Sequence, residues 1–133
     1  MEKISTLVNQ YREKKNLYDV DYFNLGKLYE IYLSNEDLAK KYYRLSLKYP
    51  KSCFRLGRMY LKRKSIVHAI YYFHQGYLID DYLCTSSLAI IFFINMNYKR
   101  ALHYANKALK LKSDDRILLK MVIYIMENFA DTS

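Results

Sequence analysis

Chain breakers are scarce: one proline and three glycines occur in 133 residues. With hydrophobic residues at 52%, that scarcity excludes a disordered chain and calls for long regular elements around a buried core. Cysteine is limited to Cys53 and Cys84, too few for a disulfide framework. Both lie in apolar context and read as small buried hydrophobes in a reducing compartment. Long apolar runs are missing as well. The longest, Leu88 to Ile94, is far short of the ~20 residues of a membrane-spanning helix. The opening Met1-Glu2-Lys3-Ile4-Ser5 lacks an apolar leader core. The expectation is one soluble, cytoplasmic domain over 1–133. Acidic residues are the minority, 13 against 22 Lys and Arg, for a net charge of +9. Such a surface attracts an acidic protein segment, nucleic acid or an anionic membrane, and the charge does not choose among them.

What is present is repetition. Leu25-Gly26-Lys27-Leu28-Tyr29 and Leu56-Gly57-Arg58-Met59-Tyr60 share Leu-Gly-x-x-Tyr, and Leu88-Ala89-Ile90-Ile91-Phe92 is a weaker third copy. Gly57 follows Gly26 by 31 residues, and Ala89 follows Gly57 by 32. Between the copies a second element recurs: Ala39-x-x-x-Tyr43, Ala69-x-x-x-Phe73 and Ala101-x-x-x-Ala105, each followed by a small residue, Ser46, Gly76 or Ala108. The lag from the Gly or Ala of the first element to the Ala of the second is 13, 12 and 12 residues. Two patterns with one period describe three helical hairpins. The small residue on each first helix lets its partner approach closely, and the aromatic on the second helix fills the contact. Hairpins of this kind bury their faces by stacking.

The spacing predicts helices over 3–14, 19–33, 36–48, 51–62, 66–79, 82–95, 98–111 and 115–128. Hairpins then cover about 19–48, 51–79 and 82–111, with an extra helix at each end. Polar joints agree: Ser34 to Asp37, Pro50, Lys62 to Ser65 with Ser65 as N-cap, Asp80-Asp81, Asn95 to Asn97, and Ser113 to Asp115. The fold class expected is all-α.

These motifs resemble the tetratricopeptide repeat family, whose first helix carries Leu-Gly-x-x-Tyr and whose second carries Ala-x-x-x-Phe-x-x-Ala-Leu. Tyr98 through Leu111 is similar to that second helix. Ala39 through Tyr60 is similar to the related Sel1-like branch. The period is two or three residues short of the family's ~34, and the third hairpin lacks the Gly and the Tyr and has Ala105 in place of the second-helix aromatic. The resemblance, over Asp19 to Ser113, implies a right-handed α-α superhelix of three hairpins whose first helices line a concave groove that binds peptide segments. Its members are seldom enzymes. Some clamp the acidic tails of chaperones, but the matching positions here, Phe23, Lys27, Arg55, Leu83 and Ser87, do not carry that clamp.

The candidate site is a basic stripe. Lys51, Arg55, Arg58 and Lys62 are spaced 4, 3 and 4 and share one helix face, opposite Cys53, Leu56, Gly57 and Tyr60. Family geometry points that face into the groove. Asn24 and Lys27 would flank it, Asn24 fixing partner backbone. Phe23, Phe54, Ile90 and Ile94, with Ser87 beside them, would supply the apolar contact. Such a groove suits an acidic or amphipathic segment of a partner protein; a solvated charged helix face is the alternative. The final helix, Arg116 to Met126, is apolar nearly all round. Leu118, Met121, Val122 and Ile125 are its candidate homodimer contacts, against simple filling of the end of the array. Nucleic acid (RNA) competes as a ligand through charge and tyrosine, although Tyr29, Tyr43 and Tyr60 are assigned to hairpin cores. His68, His74 and His103 show no metal spacing with the cysteines, and neither a phosphate loop nor a nucleophile elbow occurs. No catalytic residue, cofactor or metal is expected.

Overall fold

Short polar joints set where the helices start. A computed structural model describes residues 2–129. The helices are α1 (Glu2–Glu13), α2 (Asp19–Lys27), α3 (Glu36–Arg44), α4 (Pro50–Lys62), α5 (Ile66–Leu78), α6 (Tyr82–Ile94), α7 (Tyr98–Leu111) and α8 (Arg116–Asn128). Among the described residues no strand occurs, so the fold is all-α. Of the unit expected over 1–133, residue 1 and residues 130–133 lie outside the described residues.

Four helices begin on a capping side chain that accepts an otherwise orphaned backbone N–H. Asn35 accepts from Leu38, Asp81 from Cys84, Asn97 from Arg100 and Asp115 from Leu118, at 2.9–3.2 Å. Pro50 opens α4, where its missing N–H costs nothing. Ser65 precedes α5 as expected but does not cap it with its side chain: its Oγ hydrogen-bonds His68 Nδ1 at 2.7 Å.

Two predicted helices differ in the structure. α3 ends at Arg44 instead of 48. Ser46 Oγ donates back to the carbonyls of Tyr42 and Tyr43 and meets Ser52 Oγ at 2.7 Å, which tightens the turn before Pro50. The helix predicted over 19–33 is α-helical only to Lys27 and continues as a π-helical turn over Leu28–Tyr32, where Leu33 N–H donates to Leu28 O. The 13-residue lag, one longer than in the other hairpins, is the cause. A π turn absorbs the extra residue without moving Gly26 or Tyr29 off the buried face.

Helices pack as the pairs α2–α3, α4–α5 and α6–α7. Further contacts join α3 to α4, α5 to α6 and α4 to α6, while α1 lies on α2 and α8 on α7. A Cβ on Gly26 would stand 2.5 Å from Tyr43 Cδ1, and one on Gly57 would overlap the Phe73 ring. In the third pair Ala89 and Ala105 occur instead, both fully buried in one core. Each hairpin thus closes either with Gly against an aromatic or with Ala and Ala. Gly76 closes the next contact, against Cys84 and Cys53, and both thiols are fully buried. Of the tyrosines assigned to the core, Tyr29 and Tyr43 are buried, whereas Tyr60 is half-buried and stacks with His68 and with Tyr72.

α8 corrects an expectation. Leu118, Met121 and Ile125 are buried in the chain's own core and Val122 is half-buried against it, so these are packing residues, not a free interface. Its exposed apolar side is formed by Ile117, Leu119, Ile123, Tyr124 and Met126.

Candidate partner-binding cleft

Pro50 starts α4 in a phase that turns Cys53, Leu56 and Gly57 inward, which turns Arg55, Arg58 and Lys62 away from that core. A cleft of about 590 Å³ lies along that side, lined by Glu30, Ser34, Glu36, Arg55, Arg58, Met59, Leu61 and Lys62. The stripe is therefore not uniformly basic: three cations meet two carboxylates there.

Both carboxylates are engaged. Glu30, on the π turn, accepts from Tyr43 Oη at 2.6 Å and lies 3.8 Å from Arg55 Nη1. Burial, then the Glu30 contact, holds the Tyr43 phenol well above its ordinary value, so it stays a donor. Glu36 takes two hydrogen bonds from Arg63, at 2.8 and 3.2 Å, and these hold its carboxyl below the usual range. Among the described residues no carboxylate lies within ion-pair distance of Arg58 or Lys62. Arg58 instead lies over the Phe54 ring, 5.6 Å from its centroid.

A second, apolar pocket of about 300 Å³ opens next to the first. Phe54, Phe73, Leu61, Ile66, Ile90, Ile91 and Ile94 form its apolar walls, with Arg58, Ser87 and Asn95 as the polar part. Arg58 and Leu61 line both spaces, so the ionic cleft and the apolar pocket share a wall. The volume sits at the bottom of the ~300–1,000 Å³ range of small-molecule sites. It suits one anchoring side chain better than a cofactor.

The structure brings together Arg55, Arg58, Lys62, Phe54, Ser87, Ile90 and Ile94 of the sequence-derived set. The other four are placed differently. Phe23 is buried against Tyr43 and Tyr49, with centroids at 5.8 and 5.0 Å, because its helix phase turns it into the first hairpin. Asn24 donates to Tyr11 Oη at 3.1 Å and holds α1. Lys27 lies over the Phe23 ring at 5.7 Å. Lys51 is exposed and lines neither space. Sequence reasoning missed Glu30, Glu36, Leu61 and Ile66. Leu61 was findable, three residues after Arg58 on the same helix; Glu30 was not, since only the π turn brings it there.

No protein-family model matches the chain, and no curated protein matches it. Among the described residues no helix is long and apolar enough to cross a membrane, and no group of three or more His, Cys, Asp or Glu is placed to hold a metal ion.

Proposed function

We propose that the chain is a non-enzymatic scaffold of the tetratricopeptide-like kind, a right-handed superhelix of three hairpins, that holds an acidic, apolar-anchored segment of a partner protein. The observation that carries this reading is the shared wall: Arg58 and Leu61 join the ionic cleft to the apolar pocket. A partner carboxylate would take the guanidinium of Arg58, which among the described residues has no carboxylate within ion-pair distance, in a charge-assisted pair. An aliphatic or aromatic neighbour would enter among Phe54, Ile90 and Ile94. Arg55 would contribute less, because Glu30 already answers it.

The test is a pull-down from native lysate, with and without nuclease, comparing wild type with Arg58→Glu/Ile94→Asp. The reading expects an acidic protein that survives nuclease and is lost from the variant. Material that vanishes with nuclease would move the reading to nucleic acid. A second reading, self-association, is favoured by the exposed apolar side of α8, where Ile117 is 68% and Ile123 54% exposed.

A further inference from the structure

The alanines Ala39, Ala69 and Ala101, all fully buried, put the second helices of the three hairpins in one register. Two residues before each alanine, and two, five and nine after it, the chain carries an outward ridge. The first ridge is Asp37, Lys41, Arg44 and Lys48, the last of them in the turn after α3. On α5 the same positions are Val67, Tyr71, His74 and Leu78, and on α7 they are Lys99, His103, Asn106 and Lys110. All are exposed except the half-buried His74. Contacts between side chains hold the ridges next to one another. Burial raises the Tyr72 phenol of α5, and the nearby Arg44 opposes that shift. Tyr77 Oη meets His103 Nε2 at 3.2 Å, and Lys107 pairs with Asp80 at 3.0 Å.

The result is an apolar ridge between two cationic ones. α5 holds no charged residue from Ile66 to Leu78, yet its outer side is open: Val67 is 79%, Tyr71 55% and Leu78 61% exposed. Among the described residues Lys41, Lys48, Lys99 and Lys110 make no ion pair. Asp37 is the single carboxylate in the three ridges, and the nearby Asp80 is answered by Lys107. The face is about 16 Å long, at 1.5 Å per residue from Val67 to Leu78. None of its residues lines the cleft or the pocket.

We propose that this face docks on the surface of an anionic lipid bilayer. Val67, Tyr71 and Leu78 enter the headgroup boundary, and the four lysines and Arg44 contact lipid phosphates. The aliphatic side chains favour lipid over nucleic acid: Val67 and Leu78 offer a base or a phosphodiester nothing, and the nearby rings of Tyr77, His103 and Tyr104 are spent on one another. Contact is peripheral, since no described helix can span. A chain that holds a protein segment on one surface and lipid on another would recruit its partner to a membrane.

Co-sedimentation of the full chain with vesicles tests this. Vesicles of equal parts phosphatidylcholine and phosphatidylserine are expected to retain it, and phosphatidylcholine alone is not. Val67→Ser/Leu78→Ser and Lys41→Glu/Lys110→Glu are each expected to weaken binding roughly tenfold or more with the melting temperature unchanged. Arg58→Glu/Ile94→Asp should bind as wild type, so loss of the cleft reading leaves this result standing. Failure to bind the anionic vesicles, or binding untouched by Val67→Ser/Leu78→Ser, overturns the proposal. So does tighter binding of single-stranded RNA that only the lysine variant weakens.

Discussion

The ring of Phe73 covers Gly57 so closely that a Cβ there would overlap its Cε1, Cδ1 and Cζ atoms. The two residues act as one unit of the α4–α5 contact. Gly57→Ala gains about 1 kcal/mol of helix propensity but overpacks a filled core, at about 1–3 kcal/mol. The expected outcome is a net loss of up to about 2 kcal/mol in urea unfolding. Phe73→Ala should cost about 3–5 kcal/mol. The double variant recreates the Ala89 and Ala105 arrangement of the third hairpin and should lose less than the sum by about 1 kcal/mol or more. Strict additivity would show that the pair is not coupled.

Met96 closes α6 with φ at 61°, while its N–H donates to Phe93 O and the next, of Asn97, to Phe92 O. An L-residue pays about 1–2 kcal/mol in that left-handed region. The side chain is exposed and loses nothing on removal. Met96→Gly should therefore raise stability by about 0.5–1 kcal/mol, after the glycine's greater freedom in the unfolded chain is offset. A lower melting temperature would contradict this account of the turn.

α8 offers a paired test. Ile125 is fully buried, so Ile125→Asp places an unpaired carboxyl in the core and should cost on the order of 4 kcal/mol or unfold the chain. Ile123 faces solvent, and Ile123→Asp should stay within about 0.5 kcal/mol of wild type. If sedimentation velocity finds a dimer, Ile123→Asp is the variant expected to dissociate it.

Stability should fall on both sides of a broad neutral plateau. The Tyr18 N–H and Lys14 hold Asp21 below its ordinary range, and Arg63 does the same for Glu36. At Asp115 burial pushes upward, but the bonds from Tyr82 and the Leu118 N–H outweigh it. Depressed carboxyls stabilise the fold above their unfolded values and lose that contribution as pH falls through the folded ones. Burial, then Asp81, pushes the Cys53 thiol up to about 11; burial, then Asp115, pushes the Tyr82 phenol up to about 12. Their contributions are present below the ordinary thiol and phenol values and are lost as pH rises through the folded ones. Melting temperature against pH checks this, and Asp21→Asn should flatten the acid limb. A fall between about pH 6 and 8 would contradict it.

The pairing of helices was legible because it rests on residues a few positions apart. Gly26 with Tyr43 and Gly57 with Phe73 mark which faces meet, and Asn35, Asp81, Asn97 and Asp115 mark where helices begin. The cleft was half legible. Arg55, Arg58 and Lys62 share a face by spacing alone, and Ile90 and Ile94 follow from the same register one hairpin later. Phe23 and Asn24 were misread because a family frame assigned them outward, while α1 and the Tyr49 ring claim them in the structure.

Sequence alone determined the number of helices, their order and the close contacts, since caps, small residues and period act locally. Tertiary structure decided the rest. The extra residue of the first hairpin could have become a longer loop, and packing of both Gly26 and Tyr29 made it a π turn that delivers Glu30 to Arg55. α8 is apolar on nearly every side, and packing on α7 decided that Leu118, Met121 and Ile125 go inward. The outward side of α5 is equally apolar. Its exposure between two cationic ridges is a property of three hairpins side by side, which no single helix encodes.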